Sequence, residues 1–193
     1  MNETTNILIV GVGGQGIILA SEVLASTALA AGLDVKQSEV HGMAQRGGSV
    51  SSHVRFGEQV ASPTIERGKA DVLLSFELME SLRWVDALKS DGTVIVNTQQ
   101  IDPMPVASGK AEYPDDVLTK LESRCAALYP VDGRDLAGIA GHIKSVNIVL
   151  LGVLSTLLPF EDSAWEIAIK NRVPAKTIDI NKKAFQLGRD QRK

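Results

Sequence analysis

ILIVGVGGQG, residues Ile7–Gly16, decides how the rest of the chain is read. Four consecutive apolar residues, Ile7 to Val10, describe a strand covered on both faces, because a strand with one wet face alternates apolar with polar. The apolar run stops at glycines. Gly11, Gly13 and Gly16 fit G-x-G-x-x-G, and the alanine-rich stretch Ile17–Ala31 reads as the helix that follows. Glycines at these points let the backbone turn sharply and approach a ligand without a Cβ in the way, while the free N–H groups of the first helical turn attract an anion. The stretch is the strand, turn and helix that open a Rossmann-like sheet.

Moving outward, Gly32 stops the first helix and Asp34–Ser38 follows as a short second strand, which predicts a βαβ unit. Glu39–Gly48, EVHGMAQRGG, is a polar loop carrying glycines. Ser49–Phe56 then alternates, with Val50, Ser52, Val54 and Phe56 on one face and Ser49, Ser51, His53 and Arg55 on the other, the mark of an antiparallel or edge strand with one polar side. Asp71–Phe76 is a second buried strand, Glu77–Leu88 a helix and Thr93–Asn97 the next strand. Three prolines make Ile101–Pro114 a loop, a helix runs from about Asp115 to Ser123, and Ala126–Val131 is the last strand. Four helices finish the chain at Asp132–Ala140, Lys144–Leu158, Ala164–Arg172 and Pro174–Arg189, the second of them apolar nearly all round. This rhythm predicts a three-layer α/β fold: a mainly parallel, Rossmann-like sheet with helices on both faces and one antiparallel or edge strand. No repeat or linker interrupts it, so residues 1–193 are expected to form a single domain.

The totals narrow the function classes. At 193 residues, 44% hydrophobic and with mean hydropathy +0.06, the chain is long enough for one well-filled core. A net charge of −3 gives no global basic field for nucleic acid or an acidic membrane. From Asn171 onward, however, seven Lys and Arg stand against two Asp, a basic tail that reads as a solvated helix face or a dock for an acidic partner. The longest apolar run, Ile148–Leu158, is too short for a bilayer and residues 1–6 resemble no leader, so a cytoplasmic location is expected. One cysteine, Cys125, cannot supply the thiolates of a zinc ribbon or an iron–sulfur cluster and reads as a small buried hydrophobe. His41, His53 and His142 form no metal-binding spacing.

Two readings of the site follow from the residues alone. A nicotinamide enzyme needs an acid about 20 residues past the last glycine to hold the ribose, and Glu39 stands 23 beyond Gly16, which keeps an independent NAD(P)-dependent oxidoreductase open. The other reading takes Glu39, His41, Gln45 and Arg46, set among Gly42, Gly47 and Gly48, as a loop lying beside the Gly11–Gly16 turn at the carboxyl rim of the sheet, where open α/β folds bind ligands. Arg46 is a fork-shaped donor suited to a phosphate or carboxylate. A ligand-free interaction module, with the glycines serving only helix packing, is the third alternative.

The combination of GVGGQG, SEVHGMAQRGG and NIVLLG at Asn147–Gly152 resembles the gamma-type subunit of the 2-oxoacid:ferredoxin oxidoreductases, and the EVHGMAQRGG form is most similar to the small subunit of the indolepyruvate branch. The resemblance covers Ile7 to about Phe160. It implies a complex that decarboxylates a 2-oxoacid on thiamine diphosphate and magnesium, passes electrons through [4Fe–4S] clusters to ferredoxin and transfers the acyl group to coenzyme A. This chain has neither the G-D-G thiamine signature nor the cysteines for a cluster, so the resemblance makes it a subunit inactive by itself, whose large partner carries those groups. It further implies that Gly11, Gly13, Gly14, Gln15 and Gly16, together with Glu39, His41, Gln45, Arg46, Gly47 and Gly48, form a coenzyme A or subunit contact, with no catalytic acid or base among them.

Overall fold

In a computed structural model of the chain, residues 4–41 and 47–192 are described, His41 by its main chain only. The first strand, β1 (Thr5–Val12), is the centre of the sheet, and its four core residues are fully buried as their unbroken apolar run requires. It feeds α1 (Ile17–Ala30), then β2 (Asp34–His41) and β3 (Ser49–Gly57). After β4 (Ala70–Ser75) come α2 (Leu78–Trp84), β5 (Leu88–Asn97), the single turn α3 (Met104–Ala107), α4 (Val117–Glu122) and β6 (Ala127–Val131). The chain ends in α5 (Gly133–Ala140), α6 (Val146–Ser155), α7 (Asp162–Arg172) and α8 (Ile178–Asp190).

The sheet order is β2-β3-β1-β4-β5-β6. Parallel pairing joins β1, β4, β5 and β6, whereas β3 runs antiparallel to both β1 and β2. The expected mainly parallel sheet and its antiparallel strand are both present, with two differences of detail. First, β2 does not pair with β1: β3 inserts between them, so the opening unit is a strand, helix and hairpin rather than an adjacent βαβ. Second, β3 is not an edge strand, and its polar side is not wet. The 58–67 segment covers that side and supplies partners for it: Ile65 N donates to His53 Nδ1 (3.2 Å), and Arg55 donates through Nη1 to the carbonyls of Ser62 and Thr64 and through Nε to Asn6 Oδ1 (2.7 Å). Alternation therefore marked a polar interlayer. At the far edge of the sheet, Pro130 in β6 lies opposite Val96, and Val131 O turns inward to accept from Thr98 N (2.9 Å).

Helices cover both faces. On one, Ile7, Ile9, Val54, Leu74 and Ile95 pack under α1, α5, α6, α7 and α8; on the other, Leu8, Val10, Leu73, Val94 and Val96 pack under α2 and α4. Asn147 to Ser155 of α6 are all buried, which makes it an internal rod rather than a surface helix. It is shorter than the apolar run suggests, because residues 143–145 form a 3-10 turn and Pro159 disfavours helix at the preceding residue. A cross-helix contact fixes α8 on α6: a Cβ added at Gly152 would fall 2.1 Å from Phe185 O, and one at Gly188 2.0 Å from Val149 O. Phe56, Phe160, Trp165 and Phe185 continue the packing as a chain of rings 5.3, 6.1 and 5.7 Å apart. Cys125, half-buried against the α4 side, donates to Leu121 O, and burial pushes its thiol pKa up, the behaviour of a structural thiol.

Gly188→Ala is expected to destabilise the chain by more than about 2 kcal/mol, since the backbone on both helices must move apart and the helix-propensity gain of about 1 kcal/mol does not offset that; a thermal melt unchanged or raised in this variant contradicts the crossing. Burial, and secondarily the Arg55 charge, hold the His53 imidazole below its ordinary value of 6.5. The unfolded chain therefore takes up a proton near pH 6.5 that the folded chain refuses until lower pH, so this contribution is complete above 6.5 and is lost as pH falls through the folded value. Urea midpoints measured from pH 7.5 to 5 should drop less steeply in His53→Gln than in the parent.

Candidate functional site

The turn from β1 into α1 is built around missing side chains. At Gly11 a Cβ would lie 2.7 Å from Gln15 Oε1 and 2.8 Å from Phe76 Cβ, so only glycine lets the turn close against the end of β4. The Gln15 amide fills that space: its Oε1 accepts from Val12 N (2.7 Å) and its Nε2 donates to Phe76 O (2.9 Å). Gly14 and Gly16 take φ of +103° and +84°, backbone conformations that favour glycine. Gly16 is also crowded, because Asn147 Nδ2 donates to its carbonyl at 3.4 Å and stands 2.7 Å from where a Cβ would be.

Gly13 N donates to Gly48 O (2.9 Å), so the turn and the end of the β2–β3 connection meet at the same rim, as the loop reading requires. Gly47, at φ +76°, turns the chain just before that contact. The structure thus brings Gly11, Gly13, Gly14, Gln15, Gly16, Gly47 and Gly48 together. Gln45, Arg46 and the His41 side chain lie outside the described residues. Glu39 is exposed on β2 and accepts from Gln37 Nε2 (3.1 Å). With β3 in between, β2 sits two strand spacings, about 10 Å, from β1. That separation removes the neighbouring-strand geometry by which a Rossmann acid reaches the ribose of a nucleotide on the glycine turn.

A cleft of about 430 Å³ opens on the turn, lined among others by Gly14, Gly16, Gln99, Arg134, Lys144 and Asn147. These come from the carboxyl ends of β1, β5 and β6 and from the start of α6. The α1 N-terminus here has neither a side-chain cap nor an acidic residue in its first turn, leaving its N–H dipoles for an incoming anion. Arg134, at the start of α5, and Lys144, in the 3-10 turn before α6, are exposed, and among the described residues neither side chain has an ion-pair or hydrogen-bond partner. Beyond Arg134 the surface continues as an open shelf bearing Ile139 and Ile143, which are 52% and 48% exposed. An uncapped helix start, two exposed cations and an apolar ledge suit a ligand with a polyanionic head and an apolar part.

Arg134 and Lys144 were not among the residues singled out from sequence. The signal was available for the first: Arg134 follows the last parallel strand at its carboxyl end, where the rule applied to the glycine turn applies equally. Lys144 carried none, because only the fold carries the 143–145 turn 130 residues back to α1. Among the described residues no group of three or more His, Cys, Asp or Glu is placed to hold a metal ion, and no helix is long and apolar enough to cross a membrane.

Residues 6–191 match the family model described as pyruvate ferredoxin/flavodoxin oxidoreductase. The chain is 45% identical over 188 residues, 95% of its length and 93% of the relative's, to the indolepyruvate oxidoreductase subunit IorB of Thermococcus kodakarensis. The gamma subunit of a keto/oxoacid ferredoxin oxidoreductase from Geobacter sulfurreducens superposes with TM-score 0.72 at 26% identity, covering 97% of both chains. A 2-oxoglutarate:ferredoxin oxidoreductase from Magnetococcus marinus, solved with 2-oxoglutarate, coenzyme A and succinyl-CoA bound, shares the fold over 99% of this chain and 31% of its own, with TM-score 0.77 at 22% identity. The two positive-φ glycines of the turn, Gly14 and Gly16, should separate on substitution. Gly14→Ala, facing open space, costs only backbone strain of about 1–2 kcal/mol, whereas Gly16→Ala adds a clash with Asn147 and should cost clearly more in a denaturant titration.

Proposed function

The chain belongs to the pyruvate ferredoxin/flavodoxin oxidoreductase family and is a small subunit of a 2-oxoacid:ferredoxin oxidoreductase, and from that premise we propose that it serves an indolepyruvate-oxidising complex by gripping the phosphates of coenzyme A. The substrate assignment rests on the 45% identity to a subunit named for indolepyruvate. The ligand assignment rests on one observation: the uncapped start of α1 faces a cleft that also presents the unpaired cations Arg134 and Lys144. An α-helix N-terminus and two cations are complementary to a diphosphate, and the ledge of Ile139 and Ile143 offers an apolar surface to the remainder of the molecule.

In this reading the division of labour is physical. With a single cysteine, the chain leaves thiamine diphosphate, magnesium and the [4Fe–4S] clusters to a large partner subunit, through which electrons reach ferredoxin. Its own residues bind and orient: Asn147 and Gln15 hold the glycine turn rigid, and the α1 N–H groups and the two cations seat the anion.

The test is kinetic, on the complex reconstituted with its large subunit. Replacing Arg134 and Lys144 by Met should raise the KM for coenzyme A by about tenfold each, the cost of one partly solvated charge-assisted contact. Reduction of the clusters by indolepyruvate before coenzyme A is added should be unchanged. Loss of large-subunit binding with the KM for coenzyme A intact would instead identify the cleft as a docking surface and reject the proposal.

A further inference from the structure

On the other side of the sheet lies a second cleft, of about 370 Å³, between β3, the 62–67 segment and the end of α2. It shares no lining residue with the glycine-turn cleft. His53, Ile65, Arg67, Arg83, Trp84 and Asp86 form its walls. We propose that it binds a small organic carboxylate carrying an apolar group, independently of the coenzyme A reading.

His53 is the reason. The residue is buried, at 8% exposure, yet only half of its hydrogen-bonding capacity is used. Nδ1 accepts from the Ile65 amide, which places the proton of the neutral ring on Nε2. No described residue offers that N–H an acceptor, and His53 lines the cleft, so the donor is free for an acceptor that enters there.

The surrounding charges select an anion. Arg67 pairs with Asp86, and Arg124 pairs with the other oxygen of the same carboxylate, so Asp86 is shared between two guanidiniums. Arg83 spends its Nε on Glu80 (3.1 Å). The outer N–H groups of Arg83 and those of Arg67 not turned to Asp86 remain for a ligand, and the lining carries two guanidiniums against one carboxylate, with Arg55 adding a further positive charge near His53. A guanidinium edge together with one imidazole N–H matches the two oxygens of a planar carboxylate. The Ile65 side chain and the Trp84 ring give the rest of the wall an apolar character, and the volume exceeds what an inorganic anion fills. A carboxylate side chain of another polypeptide shares this head-group chemistry; the apolar wall of Ile65 and Trp84 favours a free acid that carries its own apolar group.

The experiment follows the His53 imidazole by NMR in the full chain. Titration with phenylacetate should move the His53 resonances saturably, phenylacetamide and inorganic phosphate should each be roughly tenfold weaker or worse, and prior saturation with coenzyme A should change nothing. Arg67→Met, at a side chain 78% exposed whose partner Asp86 keeps Arg124, should weaken phenylacetate about tenfold without shifting the melting temperature by more than a degree or two. His53 resonances that stay still, or that answer phosphate as well as phenylacetate, overturn the proposal. So does a response that vanishes when the large subunit is bound, because the carboxylate then belongs to that partner.

Discussion

Everything at the carboxyl rim hangs on the absence of a side chain at Gly11. Because nothing stands on that Cα, the Gln15 amide can fold back beneath the turn and join the backbone of β1 to the end of β4 with two hydrogen bonds. Neutral bonds of this kind contribute about 1 kcal/mol each, but their effect here is geometric: they aim the first turn of α1 away from the sheet and into the cleft. Gly13 then anchors the β2–β3 connection and Gly16 receives Asn147 from α6. Three distant parts of the chain are registered on the six residues Gly11–Gly16.

The same economy of small residues sets the helical layer. An apolar rod such as α6, buried along nine consecutive residues, can be covered on every side only if some neighbour comes very close, and Gly152 with Gly188 permits that approach. Asn147 at its start touches the glycine turn, so α8, with its basic residues, is held in a defined position relative to the cleft through one rigid element. Two of those basic residues are engaged already, Lys182 with Glu166 and Arg189 with Asp162, as is Arg172 at the end of α7 with Glu22.

Patterns with a period of two or of 3.6 residues were legible, and so the strands, the helices and the three-layer sheet could be read from the chain before its coordinates. The glycine turn was equally plain, since its φ values leave few residue types able to occupy it. Strand order was not, because the alternation of β3 reports how many faces are apolar and says nothing of which strand lies alongside. His53 and Arg55 looked like solvent-facing residues for the same reason: the cover over them, residues 58–67, has no periodicity of its own. Half of the cleft escaped notice because Arg134 and Lys144 are ordinary surface cations until the fold carries them across more than a hundred residues to the start of α1.

Pro130 has one more consequence. Since Val131 turns its carbonyl toward β5, the nitrogen of Pro130 faces outward, and the outer side of β6 lacks a donor at that step. A strand laid along the outside of β6 would lack one backbone bond at that step, whereas β2, which has no proline, withholds none.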